Sequence, residues 1–169
     1  MTNRPEEKSV GTIEIVTIGT IHSPFREPEN MPIQPNGARD AEGEVILHGC
    51  YADGLRDLDG FSHIHLLYHF HKALRTELLV VPFLDTRKRG VFATRSPLRP
   101  SHLGMSVVKL LEIAGNRVRV QGLDILDGTP LIDIKPYIPH FDNRPGATSG
   151  WLKASLADVA RKRSDDRFI

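Results

Sequence analysis

The β-type stretches of this chain are joined by connections too short to carry repeated βαβ units, and that feature excludes the doubly wound parallel folds. A sheet or barrel remains. The clearest pair of strands lies in "SVVKLLEIAGNRVRVQGLDIL", which turns at Gly115-Asn116. In its second half Val118 and Val120 point one way while Arg117, Arg119 and Gln121 point the other, the period-two pattern of a half-buried strand. "TIEIVTIGTIHSPF" predicts another strand, with Ile13, Ile15, Thr17, Gly19 and Ile21 on one face. "GEVILHGCY" and "FSHIHLLYHFH" add two more, and a turn at Asp127-Gly128 leads to a strand with Ile132 and Ile134 on one face. "ADGLRDLDG" predicts two helical turns, and Leu152, Leu156 and Val159 have helical spacing. The expectation is a mainly β chain: a single-sheet, barrel-like domain with short helices and a C-terminal tail that is helical or irregular. Residues 1–10 read as a flexible leader, 11–145 as the β domain and 146–169 as the tail.

At 169 residues, 40% hydrophobic and 25% charged, the composition fits one soluble domain with a real core. A net charge of +1 excludes a uniformly basic nucleic-acid coat but allows a local basic patch. The single cysteine, Cys50, excludes an intrachain disulfide and a CxxC zinc or redox pair. The polar opening "MTNRPEEKSVGT" has no apolar signal core. The run Leu78–Leu84 is far shorter than the roughly 20 residues of a membrane span. A cytoplasmic location with no membrane partner is therefore expected. No two glycines are spaced G-x-G and no G-x-x-x-x-G-K-[ST] occurs, so a nucleotide-like cofactor would need another kind of cradle.

Three constellations carry possible chemistry. His63, His65, His69 and His71 share one parity, and H-x-H on a strand can direct two imidazoles at one metal. The plainer alternative is histidines bonded to backbone, and no third-ligand motif accompanies them; a metal site at His63, His65 and His69 stays the minor reading. "TRKRGVFATRSPLRP" sets Arg87, Lys88, Arg89, Arg95 and Arg99 against Asp85. Guanidinium groups suit phosphates and carboxylates, and Pro97 and Pro100 stiffen the chain that presents Arg95 and Arg99. Asp124, Asp127 and Asp133 with Lys135 form either an acid-base or ribose-binding set, or a turn plus a surface ion pair.

"VTIGTIHSPF", "PIQP", "GFSHIHLLYHFHK", "GVFATRSPLRPSHLGMSVVKLL" and "LDILDGTPLIDIKPYIPHFD" resemble, in order, the segments of the TsaA-like family, which includes the TrmO-type tRNA N6-adenosine methyltransferases. The likeness covers roughly residues 14–142. It implies a β-barrel-like homodimer that holds S-adenosylmethionine near the subunit interface. The cofactor-contacting segments map onto Pro32, Ile33 and Gln34, onto His71 and Lys72, onto Arg95 and Leu103, and onto Asp124, Ile125, Leu126 and Asp127. The implied activity is methylation of N6-threonylcarbamoyladenosine beside the anticodon of a tRNA. Arg87, Lys88, Arg89 and Arg99 would meet RNA phosphates, and Asp127 is the candidate acceptor of the departing proton. The alternating histidines and the Ser101–Gly104 turn leave a second reading open: a cofactor-binding or metal-responsive module with another small acceptor, or none.

Overall fold

In a computed structural model, whose description covers residues 11–165 and 167, six antiparallel strands close into a barrel. They are β1 (Gly19–His22), β2 (Glu42–Leu47), β3 (His63–His69), β6 (Leu103–Ala114), β7 (Arg117–Gln121) and β8 (Thr129–Pro136). Around the barrel the order is β1-β2-β7-β6-β3-β8. β4 (Leu79–Val80) and β5 (Arg89–Gly90) form a separate two-stranded ribbon. The expectation for residues 1–10 lies outside the described residues.

Closure follows from alternation. Ile64, Leu66, Val108, Val118, Val120, Val45 and Ile21 are all at or near zero exposure and fill the interior, while their sequence neighbours face outward. Each buried side chain of this size contributes about 1.5–3 kcal/mol when taken from water. The β6–β7 hairpin turns at Gly115, whose φ of 61° lies in the left-handed region where a side chain is disfavoured. Leu55 and Leu58 pack on the same core.

Three local expectations are corrected. Residues 11–18 are not a strand, and Ile13 and Val16 are 80% and 65% exposed. The ladder begins at Gly19, opposite Leu47 and Leu131; beyond Leu47 the chain leaves β2 for 3-10 turns. The helix expected over 52–60 is two 3-10 segments, Gly49–Leu55 and Leu58–Gly60, divided by Asp57 at φ 66°. Ile132 and Ile134 do not share a face. The pairing shifts between Leu67↔Asp133 and Tyr68↔Leu131, so Ile132 is a bulge residue, and Leu131 and Ile134 both reach the core.

Between β3 and β6 the chain builds a side lobe on a small cluster of Val80, Val91 and Leu98. Two short helices follow the barrel: α1 (Pro139–Asp142) and α2 (Leu156–Arg161). Ser155 and Asp158 form a reciprocal capping box on α2. The segment after α2 lies against the 28–34 loop: Ser164 N–H donates to Met31 O at 2.9 Å, and Ser164 Oγ donates to Pro28 O at 2.6 Å. No helix among the described residues is long and apolar enough to cross a membrane.

Candidate functional site at the polar end of the barrel

A cleft of about 1310 Å³ opens where the barrel end, the side lobe, the 28–35 loop and the C-terminal tail meet. Its deepest polar wall comes from positions with barrel-interior parity. Ser106 Oγ donates to Asp124 Oδ1 at 2.7 Å and lies 3.1 Å from Tyr68 Oη. With the serine proton committed to the carboxylate, the phenol is the donor to Ser106. Gly104 stands opposite Tyr68 across the β3–β6 ladder. A Cβ at Gly104 would lie 2.2 Å from the Tyr68 ring, so the missing side chain is what lets that ring lean across β6 toward Ser106.

Desolvation dominates the electrostatics of this wall. It raises the Asp124 carboxyl from its ordinary 3.8 to about 6, against the opposing effects of the Ser106 hydrogen bond and the Arg95 charge. Burial, with Asp124 nearby, pushes the Tyr68 phenol well up. Arg95 is exposed and donates from Nη1 to Gln34 Oε1 at 3.0 Å, linking the lobe to the 28–35 loop. Thr129, buried, donates to Leu126 O at 2.7 Å and lies 3.3 Å from His71 Nδ1. Burial, then the charges of Lys72 and His69, lower the His71 pKa, so this imidazole is neutral at pH 7.

Pro32, Ile33, Gln34, His71, Lys72, Arg95, Leu103, Asp124, Ile125 and Leu126 all line the cleft. Asp127 does not. Its Oδ1 accepts from Ser23 N at 3.2 Å and pairs with His22 Nδ1 at 3.1 Å. Slight burial raises its pKa, but the Ser23 amide, His22 and Gly128 outweigh this and hold it below the ordinary value. Asp133 pairs with Lys135 at 2.7 Å, the surface alternative of the third constellation.

The basic segment divides. Arg99 enters the cleft wall, where Nη1 donates to Thr94 O at 3.3 Å. Arg87 and Lys88 are exposed on the turn between β4 and β5. Arg89 is paired with Asp85 at 2.7 Å and lies over the Trp151 ring, 5.5 Å from its centroid. His63, His65 and His69 have the outward parity of β3. His65 packs on Tyr137 and approaches Asp142 at 3.4 Å, and His69 meets the edge of His102. Among the described residues no group of three or more His, Cys, Asp or Glu side chains is placed to hold a metal ion. His71, beyond the strand end, and His63 both line the cleft.

Sequence reasoning missed Tyr68, Ser106 and the tail. Trp151, Leu152, Leu156, Val159 and Ser164 all contribute to the cleft wall. One signal was available: Ser106 is the lone hydroxyl on the inward parity of an otherwise apolar strand, and a buried hydroxyl requires a partner.

The model of the tRNA-methyltransferase O N-terminal domain matches residues 20–143. The chain belongs to the TrmO family. A probable S-adenosyl-L-methionine-binding protein of Pyrococcus abyssi is 51% identical over 152 residues, covering 90% of this chain and 83% of the relative. The tRNA (adenine(37)-N6)-methyltransferase of Escherichia coli is 36% identical over 158 residues, covering 88% and 67%. A TrmO crystal structure from Pseudomonas aeruginosa superposes with a TM-score of 0.72 at 37% identity, covering 86% of this chain. This chain spans 63% of that one. The family match ends at residue 143, so the tail wall of the cleft lies outside it.

Proposed function

We propose that this TrmO-family chain is an S-adenosylmethionine-dependent methyltransferase that N6-methylates threonylcarbamoyladenosine beside the anticodon of a tRNA in the cytoplasm, working as a homodimer. The observation that carries the reading is the convergence of Gln34, Arg95, Ser106 and Asp124, from four separate segments, on one cleft. Their chemistry suits the cofactor. Asp124 has one hydroxyl donor and unfilled acceptor capacity in a desolvated wall, which fits an ammonium group near a sulfonium. Arg95 and Lys72 are cations for a carboxylate, and Ile33, Leu103 and Leu126 supply apolar walls for a planar base. When bound, S-adenosylmethionine would supply an electrophilic methyl and be left as S-adenosylhomocysteine, while the acceptor nitrogen would give up its proton to solvent. The residues of this chain then chiefly align and desolvate the reactants. Arg87 and Lys88 face solvent and would meet RNA phosphates, giving salt-dependent affinity. Leu74, Leu78 and Leu79, each more than half exposed, offer an apolar face for the second subunit.

The test is incubation of the protein and S-adenosylmethionine with tRNA carrying the threonylcarbamoyl group, followed by mass analysis of the nucleosides. A gain of one methyl on that nucleoside is expected. Cofactor binding without methyl transfer to any tRNA would instead assign the chain a binding role.

A further inference from the structure

The tail half of the cleft contains an aromatic ring that the proposed cofactor contacts leave unused. Trp151 lines the cleft, with its indole N–H edge pinned to Ala93 O at 2.8 Å. Arg89, anchored by Asp85, covers one part of its ring system at 5.5 Å. The ring is thus fixed on two sides while its remaining surface forms wall. Ala93 is two residues from Arg95, whose side chain reaches Gln34, so the Trp151 anchor lies about 7 Å or less along the backbone from the proposed cofactor wall. The intervening Thr94 carbonyl receives Arg99, and Arg99 lines the same cleft as Trp151. The Arg99 guanidinium spends one donor on a carbonyl at 3.3 Å and retains others. The cleft, at about 1310 Å³, exceeds the roughly 300–1,000 Å³ of a single small-molecule pocket and has room for two ligands side by side.

We propose that Trp151 and Arg99 form the acceptor subsite, the indole as stacking surface for a purine and the guanidinium as partner for an anionic group carried on it. This rests on the methyltransferase reading and assigns residues of this chain to the acceptor it names, a purine nucleoside bearing an anionic group. Aromatic stacking suits a base presented out of a loop. Arg89 on the other side of the indole adds a cation–π contact that holds the ring in place. The tail supplies the stacking platform, Trp151, which lies beyond the span of the family match, while Arg99 lies within it.

Trp151 is the single tryptophan of the chain, and its emission reports on the subsite directly. The experiment saturates the full chain with S-adenosylhomocysteine, confirmed by calorimetry. It then titrates N6-threonylcarbamoyladenosine, adenosine 5′-monophosphate and adenosine while Trp151 fluorescence is followed. Saturable quenching is expected with either anionic probe, and whichever binds more tightly identifies carboxylate or phosphate as the anion. Adenosine should need about tenfold more ligand, and Arg99→Gln should erase that difference. Trp151→Phe should raise the acceptor KM severalfold and leave S-adenosylhomocysteine affinity unchanged. Quenching by S-adenosylhomocysteine with no further response to any acceptor would place Trp151 in the cofactor subsite and overturn the proposal. Equal affinity for all three nucleosides would remove Arg99. Failure of S-adenosylhomocysteine to bind at all would overturn the methyltransferase reading, and this proposal with it.

Discussion

β3 and β6 run side by side from an aliphatic end to a polar one. On their inward face Ile64 is opposite Val108, both at or near zero exposure. One rung on, Leu66 is opposite Ser106, and at the next Tyr68 is opposite Gly104. The same period-two rule places all six positions inside, yet the first rung holds only methyl groups, and hydroxyls next to Asp124 enter at the second and third. Stability and chemistry therefore share two strands, aliphatic at one end and polar at the other, and meet at the mixed rung of Leu66 and Ser106. The low-dielectric wall that raises the Asp124 pKa is the continuation of the core.

That separation is breakable at the aliphatic end first. Ile64→Ala should cost about 2–5 kcal/mol, since a buried isoleucine vacates space that the closed barrel cannot easily refill. Denaturant titration measures the loss, and the folded fraction should still bind S-adenosylhomocysteine with unchanged affinity. A matching fall in affinity would show that the rungs act together. Gly104→Ala attacks the junction and should cost about 1–3 kcal/mol through overpacking against Tyr68, with weaker cofactor binding as well. Adding Tyr68→Leu to that variant should restore stability and leave affinity low; recovery of both would mean the Tyr68 hydroxyl has no role at the site.

The two ends also differ in how far the sequence exposed them. The closed sheet was legible because alternation in "RVRVQ" and the lack of βαβ spacing are local properties, and most of the segments that line the cleft were singled out by family resemblance. The polar wall was not legible from spacing, because Tyr68 and Ser106 lie 38 residues apart and look like core positions when read singly. Asp124 and Asp127 looked equivalent in "LDILD". Only the fold distinguishes them, by turning Asp124 into the cleft and fastening Asp127 to Ser23 and His22. The tail escaped for a similar reason: its contacts reach back 133 residues from Ser164 to Met31, and no local pattern encodes that.

Asp124→Asn sharpens the comparison by pH. The folded-state pKa, about 6, lies above the ordinary 3.8, so folding favours the protonated acid. Fold stability is therefore highest below the unfolded value and falls as pH rises from about 4 to about 6. Asparagine removes that fall, and the variant should be more stable by on the order of 2 kcal/mol at pH 7. Thermal unfolding across this range checks it. Cofactor affinity runs the other way: an ammonium partner needs the ionised acid, so wild-type binding should weaken below about pH 6, while the variant binds weakly throughout. Arg95, Ser106 and Tyr68 are the groups that face this carboxyl, and Arg95 is the only cation among them. An Arg95→Gln variant should thus move the midpoint upward.

Tyr68→Phe is the smallest of these effects and the most discriminating. The ring still lies over Gly104, so packing is kept and only the hydroxyl is lost. Because Ser106 gives its proton to Asp124, the Tyr68 phenol is the donor that satisfies the serine oxygen, and its removal should cost about 0.5–1.5 kcal/mol. If the three groups form a chain in which each bond polarises the next, losing the phenol should also weaken the Ser106–Asp124 bond. The Asp124 pKa would then rise further. A double-mutant cycle of Tyr68→Phe with Asp124→Asn measures this: a coupling of about 0.5 kcal/mol or more marks a connected network. Additivity would mean that the polar end is three separate contacts, and that only Asp124 distinguishes it chemically from the aliphatic rungs beside it.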